Sequence, residues 1–362
     1  MGFRLREDET LGEGVRRMCC EEIEGAIAAS EARRNGKASP VHETRKHLKK
    51  ARAALRLVSG KVKPSAFKRE HRRLRNVARL ISDIRDAEVR LATVKQLRAV
   101  MPARGNHHFD ETEELLAFEL DSFLAAFPDW QEEAAGKLAR ARDAITNWPL
   151  RGLDRQHICR RMRTVYKSGR GALACAKREG DSESFHAVRK QAKELWYQLQ
   201  ILRPLHPAIF QEMTEDLDTL GQRLGHMHDL SFVAERLETL TGRGGRQRGQ
   251  RALEALIDSR EKDLQRIAVA LGERFYAERP KEFAGRIAEY FEEWENAKLR
   301  RTAQVMKKHG PKIATGIAAR SASSSATLVS TDDKSGGKKK KKAKRGEADG
   351  ATAALRIEKD RK

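Results

Sequence analysis

Residues 41–58 read VHETRKHLKKARAALRLV, and residues 185–202 read FHAVRKQAKELWYQLQIL. At 100° per residue, Val41, Thr44, Leu48, Ala51, Leu55 and Val58 share one arc of a helix, while His42, Arg45, Lys46, Lys49, Arg52 and Arg56 lie beside and opposite it. The second stretch repeats the pattern, with Phe185, Val188, Ala192, Leu195, Leu199 and Leu202 on the apolar arc and His186, Arg189, Lys190, Lys193 and Tyr197 on the cationic side. The two align without gaps at an offset of 144, which sets His42 on His186, Arg45 on Arg189 and Lys49 on Lys193. A second pair follows at an offset of 143: LRNVARLISDIRDAEVRLATV (74–94) on LDTLGQRLGHMHDLSFVAERL (217–237), with Asp86 on Asp229. Two matches in the same order at nearly the same spacing imply an internal duplication. Ser39 with Pro40, and Asp181 or Ser182, are suited to cap the two helices and place His42 and His186 in their first turns.

Apolar spacing at i, i+3, i+4 and i+7 recurs through the body of the chain, and alternating strand-like runs are scarce, so the fold is expected to be all-α. The expected architecture is a pseudo-twofold helical bundle over residues 10–297, with repeat one at about 10–145 and repeat two at about 153–297. Residues 298–362, rich in Ser, Ala, Gly and Lys, are expected to form a disordered basic tail. The chain carries a net charge of +22, of which the tail accounts for +13 and the body for +9. Within the body the charge runs basic, acidic, basic, over residues 41–79, 80–150 and 151–203.

Such a balance favours a polyanionic partner or an anionic membrane surface. No signal sequence, long apolar run or myristoylation motif is present, and Cys19, Cys20, Cys159 and Cys175 form no CxxC pair, which points to a reducing cytoplasmic protein with no membrane association. Cys19 and Cys20 read as small buried apolar residues. A solvated helix face normally mixes signs to gain ion pairs. Here like charges stack along both marked helices, and something anionic is needed to relieve their repulsion. Lys68, Arg72, Arg75 and Arg79 extend the basic stripe in the first half, whereas Glu212, Glu215, Asp216 and Asp218 occupy the corresponding part of the second, which makes the site asymmetric. Over residues 154–178, Arg160, Arg163, Lys167 and Arg170 lie away from Ile158, Met162, Val165 and Leu173 and are candidates for the missing charge.

The two marked helices, each of the form H-x-x-R-x-x-x-K, and the later steps IRDAEV (Arg85, Asp86) and MHDLSF (His228, Asp229) resemble the CHAD domain, the conserved histidine α-helical domain, over roughly residues 10–297. The resemblance implies a bundle of long helices whose basic central groove binds inorganic polyphosphate without catalysis, and a place on polyphosphate granules for some members. The second copy departs from the pattern at Gln191 and Glu194, where the first has His47 and Lys50. Some relatives fuse this domain to a triphosphate-tunnel hydrolase; with about ten residues before the first helix, no such partner is expected here.

The expected ligands of the polymer are His42, Arg45, Lys46, Lys49, Arg52, Lys68, Arg72, Arg75, Arg79, Arg163, Lys167, Arg170, His186, Arg189, Lys190, Lys193 and Tyr197. Polyphosphate presents regular charge and no bases, so Lys and Arg suffice, whereas single-stranded nucleic acid usually also requires stacking platforms, and aromatics make up only 6% of this chain. The alternative reading is a nucleic-acid or ribosome-associated protein that binds through KKKKKAKR (338–345); a phosphohydrolase is a third. His42 and His47, five residues apart, point in different directions on a helix, as do His226 and His228, so no metal site or other cofactor is expected beyond magnesium or calcium carried by the polymer. Asp86 and Asp229 are expected to be structural, capping the helix that follows or holding Arg85 or an arginine of the site.

Overall fold

The computed structural model describes residues 2–32, 39–100, 107–241 and 248–309, and among these there are eleven α-helices and no strand. They are α1 (Leu11–Glu31), α2 (Pro40–Leu57), α3 (Pro64–Leu80), α4 (Ser82–Val100), α5 (His107–Ala126), α6 (Trp130–Thr146), α7 (Arg155–Glu179), α8 (Ser182–Leu202), α9 (Pro207–Thr241), α10 (Arg248–Phe275) and α11 (Pro280–His309). The chain is all-α, as its periodicity requires.

Local chemistry sets the helix starts. Thr10 and Glu13 form a reciprocal capping box on α1. The side chain of Ser39 accepts from the His42 amide, with Pro40 at the first helical position. Asp154 and Asp181 cap α7 and α8 in the same way. Between those two helices Gly180 adopts φ 72°, a left-handed conformation that lets α7 end and α8 begin within two residues.

The apolar arcs read from the sequence face the interior. Val41, Thr44, Leu48, Ala51, Leu55 and Val58 are buried, and so are their aligned counterparts from Phe185 to Leu202. The same holds for Leu74, Val77 and Ile81 against Leu217, Leu220 and Leu224. Helix α2 packs on α1, α3, α7 and α8; α8 packs on α7 and α9; and α4 reaches α9 and α2. Helices α2, α8, α9 and α4 therefore meet in a ring. Apart from the main core, Val94, Leu97, Leu116, Leu230, Val233 and Ile257 form a smaller apolar cluster.

Three sequence expectations are corrected. Helix α8 starts at Ser182 behind the Asp181 cap, so His186 is its fifth residue and lies in the second turn, not the first. Helix α9 runs unbroken through Asp229, and Asp86 is the fifth residue of α4, so neither aspartate caps a helix. Helix α11 continues through His309, past the expected start of the tail, because KLRRTAQVMKKH holds no Gly or Pro to stop it. The tail expected to be disordered lies, from residue 310 on, outside the described residues.

Candidate functional site

With one face of α2 and one face of α8 committed to the core, their remaining faces turn toward each other across the ring. His42, Lys46 and Lys49 on α2 are exposed, with Arg45, Arg52 and Arg56 half-buried; on α8, Lys190 is exposed and His186, Arg189 and Lys193 are half-buried. Helix α4 adds Arg85 and α9 adds His228. Lys49 is the centre of the group. Burial, followed by the charges of Arg189, Arg45, Arg85 and Lys193, holds its ammonium down to about 8.

Each central arginine faces one carboxylate. Burial lowers the pKa of Arg45 while Asp86 opposes it, and Asp229 does the same for Arg189. Both aspartates are themselves pushed up by burial, against the pull of those arginines. Each aspartate thus lies within electrostatic reach of one arginine. Arg45 Nη1 also donates to the Ala78 carbonyl at 3.0 Å. Arg189 Nε is buried with no hydrogen-bond partner among the described residues. Gly221 and Gly225 on α9 make room for this second half: a Cβ at Gly221 would lie 2.8 Å from Lys193 Cε, and one at Gly225 would lie 3.4 Å from Arg189 Nη2. Lys193 Nζ donates to Asp218 at 3.0 Å and sits 4.3 Å from the Trp196 ring centroid.

The rings of His186 and His228 pack against each other, tilted by 38°, with centroids 4.2 Å apart. Burial, followed by the neighbouring Lys190 and Arg189, drives His186 to about 4; burial and then His186 drive His228 to about 3. Both rings are neutral at neutral pH, and His186 Nδ1 is buried without a partner among the described residues. His42 is also held below its ordinary value by burial, then by Arg85.

A second cationic group continues along α2 around Glu194. Arg56 Nη1 meets Glu194 Oε2 at 2.5 Å, and Arg161 Nε donates to the Arg56 carbonyl at 3.1 Å. Burial and then Arg56 hold Arg52 to about 10; burial and then Arg56, Arg52 and Arg75 hold His71 to about 4. Glu194 is pushed up by burial against the pull of Arg56, Arg161 and Arg52.

The sequence candidates divide accordingly. Arg45, Lys49, His186, Arg189, Lys190 and Lys193 gather at the centre with His42 at its edge, and Arg52 and Arg75 belong to the second group. Lys46 is exposed and pairs with Glu43; Lys68, Arg72 and Arg79 are exposed along α3. Tyr197 is a correction: it is buried, edge-on to Phe3 at 6.3 Å, and burial pushes its hydroxyl up to about 12. Arg163, Lys167 and Arg170 are another. They lie across α7 from Arg161, and Arg170 donates to the Glu278 carbonyl at 2.9 Å, so Arg161 is what α7 supplies to the second group. His47 and Lys50 pair with Glu22 of α1, so the first copy's apparent surplus of charge there is neutralised. Arg85, His228 and Arg161 were not singled out as site residues. The first two could have been, because the alignment sets a basic residue immediately before the aspartate in both copies.

A cavity of about 500 Å³ at the α5–α6 turn is lined by Leu80, Phe127 and Trp130 together with Asp129, Glu132 and Glu133. It contains none of the cationic residues and has the wrong sign for an anion. Among the described residues no group of three or more His, Cys, Asp or Glu is placed to hold a metal, and no helix is long and apolar enough to cross a membrane.

Comparison with known proteins adds two findings. The family model of the CHAD domain matches residues 21–238. The crystal structure of the CHAD domain from the plant Ricinus communis superposes with a TM-score of 0.51 at 17% identity, covering 75% of this chain and 95% of that one. No curated protein matches the chain.

Glu194 carries the charge balance of the second group. Glu194→Gln is expected to cost roughly 1–3 kcal/mol, because Arg56 and Arg161 lose their shared carboxylate. The loss should shrink as salt screens the remaining arginines, which thermal unfolding across an ionic-strength series would measure.

Proposed function

The chain belongs to the CHAD-domain family, a family associated with polyphosphate binding, and from that premise we propose that it binds inorganic polyphosphate non-catalytically in a basic groove between α2, α4, α8 and α9. The domain responsible is residues 10–297. The observation that carries the reading is Lys49. It is exposed, yet enough protein surrounds it for burial to be the largest cause of its lowered pKa, and the largest charges acting on it are all cations. A surface lined with one sign of charge concentrates the opposite ion.

The chemistry of the lining favours phosphate over bases. Guanidinium groups bind phosphate oxygens in bidentate fashion, and the neutral imidazoles of His186 and His228 offer N–H donors without adding to the repulsion. Asp86 and Asp229 each offset part of the strain on one arginine without neutralising the cluster. The aromatics beside it are occupied: Tyr197 is buried and Trp196 lies under Lys193, which leaves a nucleobase little to stack on. Binding is driven by release of the polymer's condensed counterions.

Arg45→Ala combined with Arg189→Ala should weaken polyphosphate binding far more than deleting residues 310–362, and should flatten the dependence of log affinity on log salt by roughly two units. Titration with long-chain polyphosphate, and with duplex DNA and RNA in competition at two salt concentrations, measures both. If the tail deletion alone abolishes binding, or nucleic acid outcompetes the polymer, the groove reading is wrong.

The lowered pKa of Lys49 gives a second expectation. A bound polyanion stabilises the ammonium, so binding takes up a proton above about pH 8; affinity is full below that value and falls as pH rises through it. Lys49→Arg should remove most of the fall between pH 7 and 9.5, because guanidinium stays charged.

A further inference from the structure

We propose that Lys49 is an acylation site: a small acyl phosphate docks its phosphate on Arg45 and Arg189 and transfers its acyl group to the Lys49 amine. The proposal rests on the anion-binding reading above and concerns how the same site is modified.

Position makes the case first. Lys49 is one turn from Arg45 on α2 and faces Arg189 across the junction with α8, so a phosphate held by the two guanidiniums brings its carbonyl substituent next to Nζ. Three nearby lysines are engaged elsewhere, Lys46 with Glu43, Lys50 with Glu22 and Lys193 with Asp218, while Lys190 lies next to Arg189 on α8 and serves as the comparison. Lys49 is exposed, so the reagent can reach it.

The step balances without any redox partner. The free amine attacks the carbonyl carbon of the acyl phosphate and a C–N bond forms. The C–O bond to phosphate breaks, and phosphate leaves with the electron pair into the grip of the arginines. The amine's extra proton goes to solvent. The amide product carries no charge, so the centre of the site loses one cation.

The electrostatics favour the reaction. At pH 7.5 an amine held near 8 is roughly a quarter free base, against roughly 0.1% for an ordinary lysine. Lower basicity gives back part of that gain, as it does for thiols, which leaves a rate advantage of roughly tenfold or more.

The test treats the full chain with acetyl phosphate at pH 7.5 and maps acetylated lysines by mass spectrometry, alongside N-acetylimidazole, which carries no phosphate. Lys49 should be acetylated at least several-fold faster than Lys46 or Lys190, and the preference should be larger with acetyl phosphate than with N-acetylimidazole. Saturating polyphosphate and the Arg45→Ala/Arg189→Ala variant should both abolish that difference. Uniform labelling of the three lysines, or equal preference with both reagents, overturns the proposal. A parallel titration separates the two readings: if polyphosphate binds but Lys49 is not selected, only the acylation proposal falls. If Lys49 is selected but the polymer neither binds nor protects it, the polyphosphate reading falls and the small-anion site stands.

Discussion

The structure depends on a conflict between apolar burial and like-charge repulsion along two helices. The core faces of α2 and α8 are buried from Val41 to Val58 and from Phe185 to Leu202, and that burial fixes their rotation. The other faces then have no freedom to turn away. Burying one Leu or Val side chain contributes about 1.5–3 kcal/mol, and each helix commits several, so the apolar term can hold cations together that would separate in an open chain. Repulsion is left at Lys49, Arg45 and Arg189, where an anion would relieve it.

The carboxylates nearby tune this state without cancelling it. Asp86 and Asp229 each oppose the pKa lowering of one arginine, and Glu194 serves a separate arginine group further along α2. Burial raises the pKa of all three acids, and nearby guanidiniums resist that rise. The paired histidines add polarity without charge at neutral pH. The result is a cluster in which cations outnumber the nearby carboxylates.

Much of this was legible in the sequence because amphipathic periodicity is a direct record of which face is buried. It located α2 and α8, their apolar arcs, and Arg45, Lys49, Arg189 and Lys193. Periodicity does not say which edge of an apolar arc meets which neighbour. On α7, Arg161 and Arg170 flank the same arc on opposite edges; one reaches Arg56 and the other Glu278. Tyr197 sits at a similar boundary and fell to the buried side. Nothing in the text marks Gly221 and Gly225 as the close-approach positions beside Lys193 and Arg189 that the fold makes of them. Arg85 and His228 are legible only as basic residues preceding the aligned aspartates; that they reach the α2–α8 cations follows from tertiary packing.

The central claim is that the unliganded protein keeps its cations together against their mutual repulsion. Thermal unfolding of Lys49→Met beside the parent chain, at low ionic strength and without polymer, tests it most directly. Removing the central charge while keeping an aliphatic side chain should raise Tm, and added polyphosphate should then stabilise the parent chain more than the variant. A lower Tm for Lys49→Met in the absence of polymer would mean that Lys49 is already satisfied within the fold, and would contradict the account.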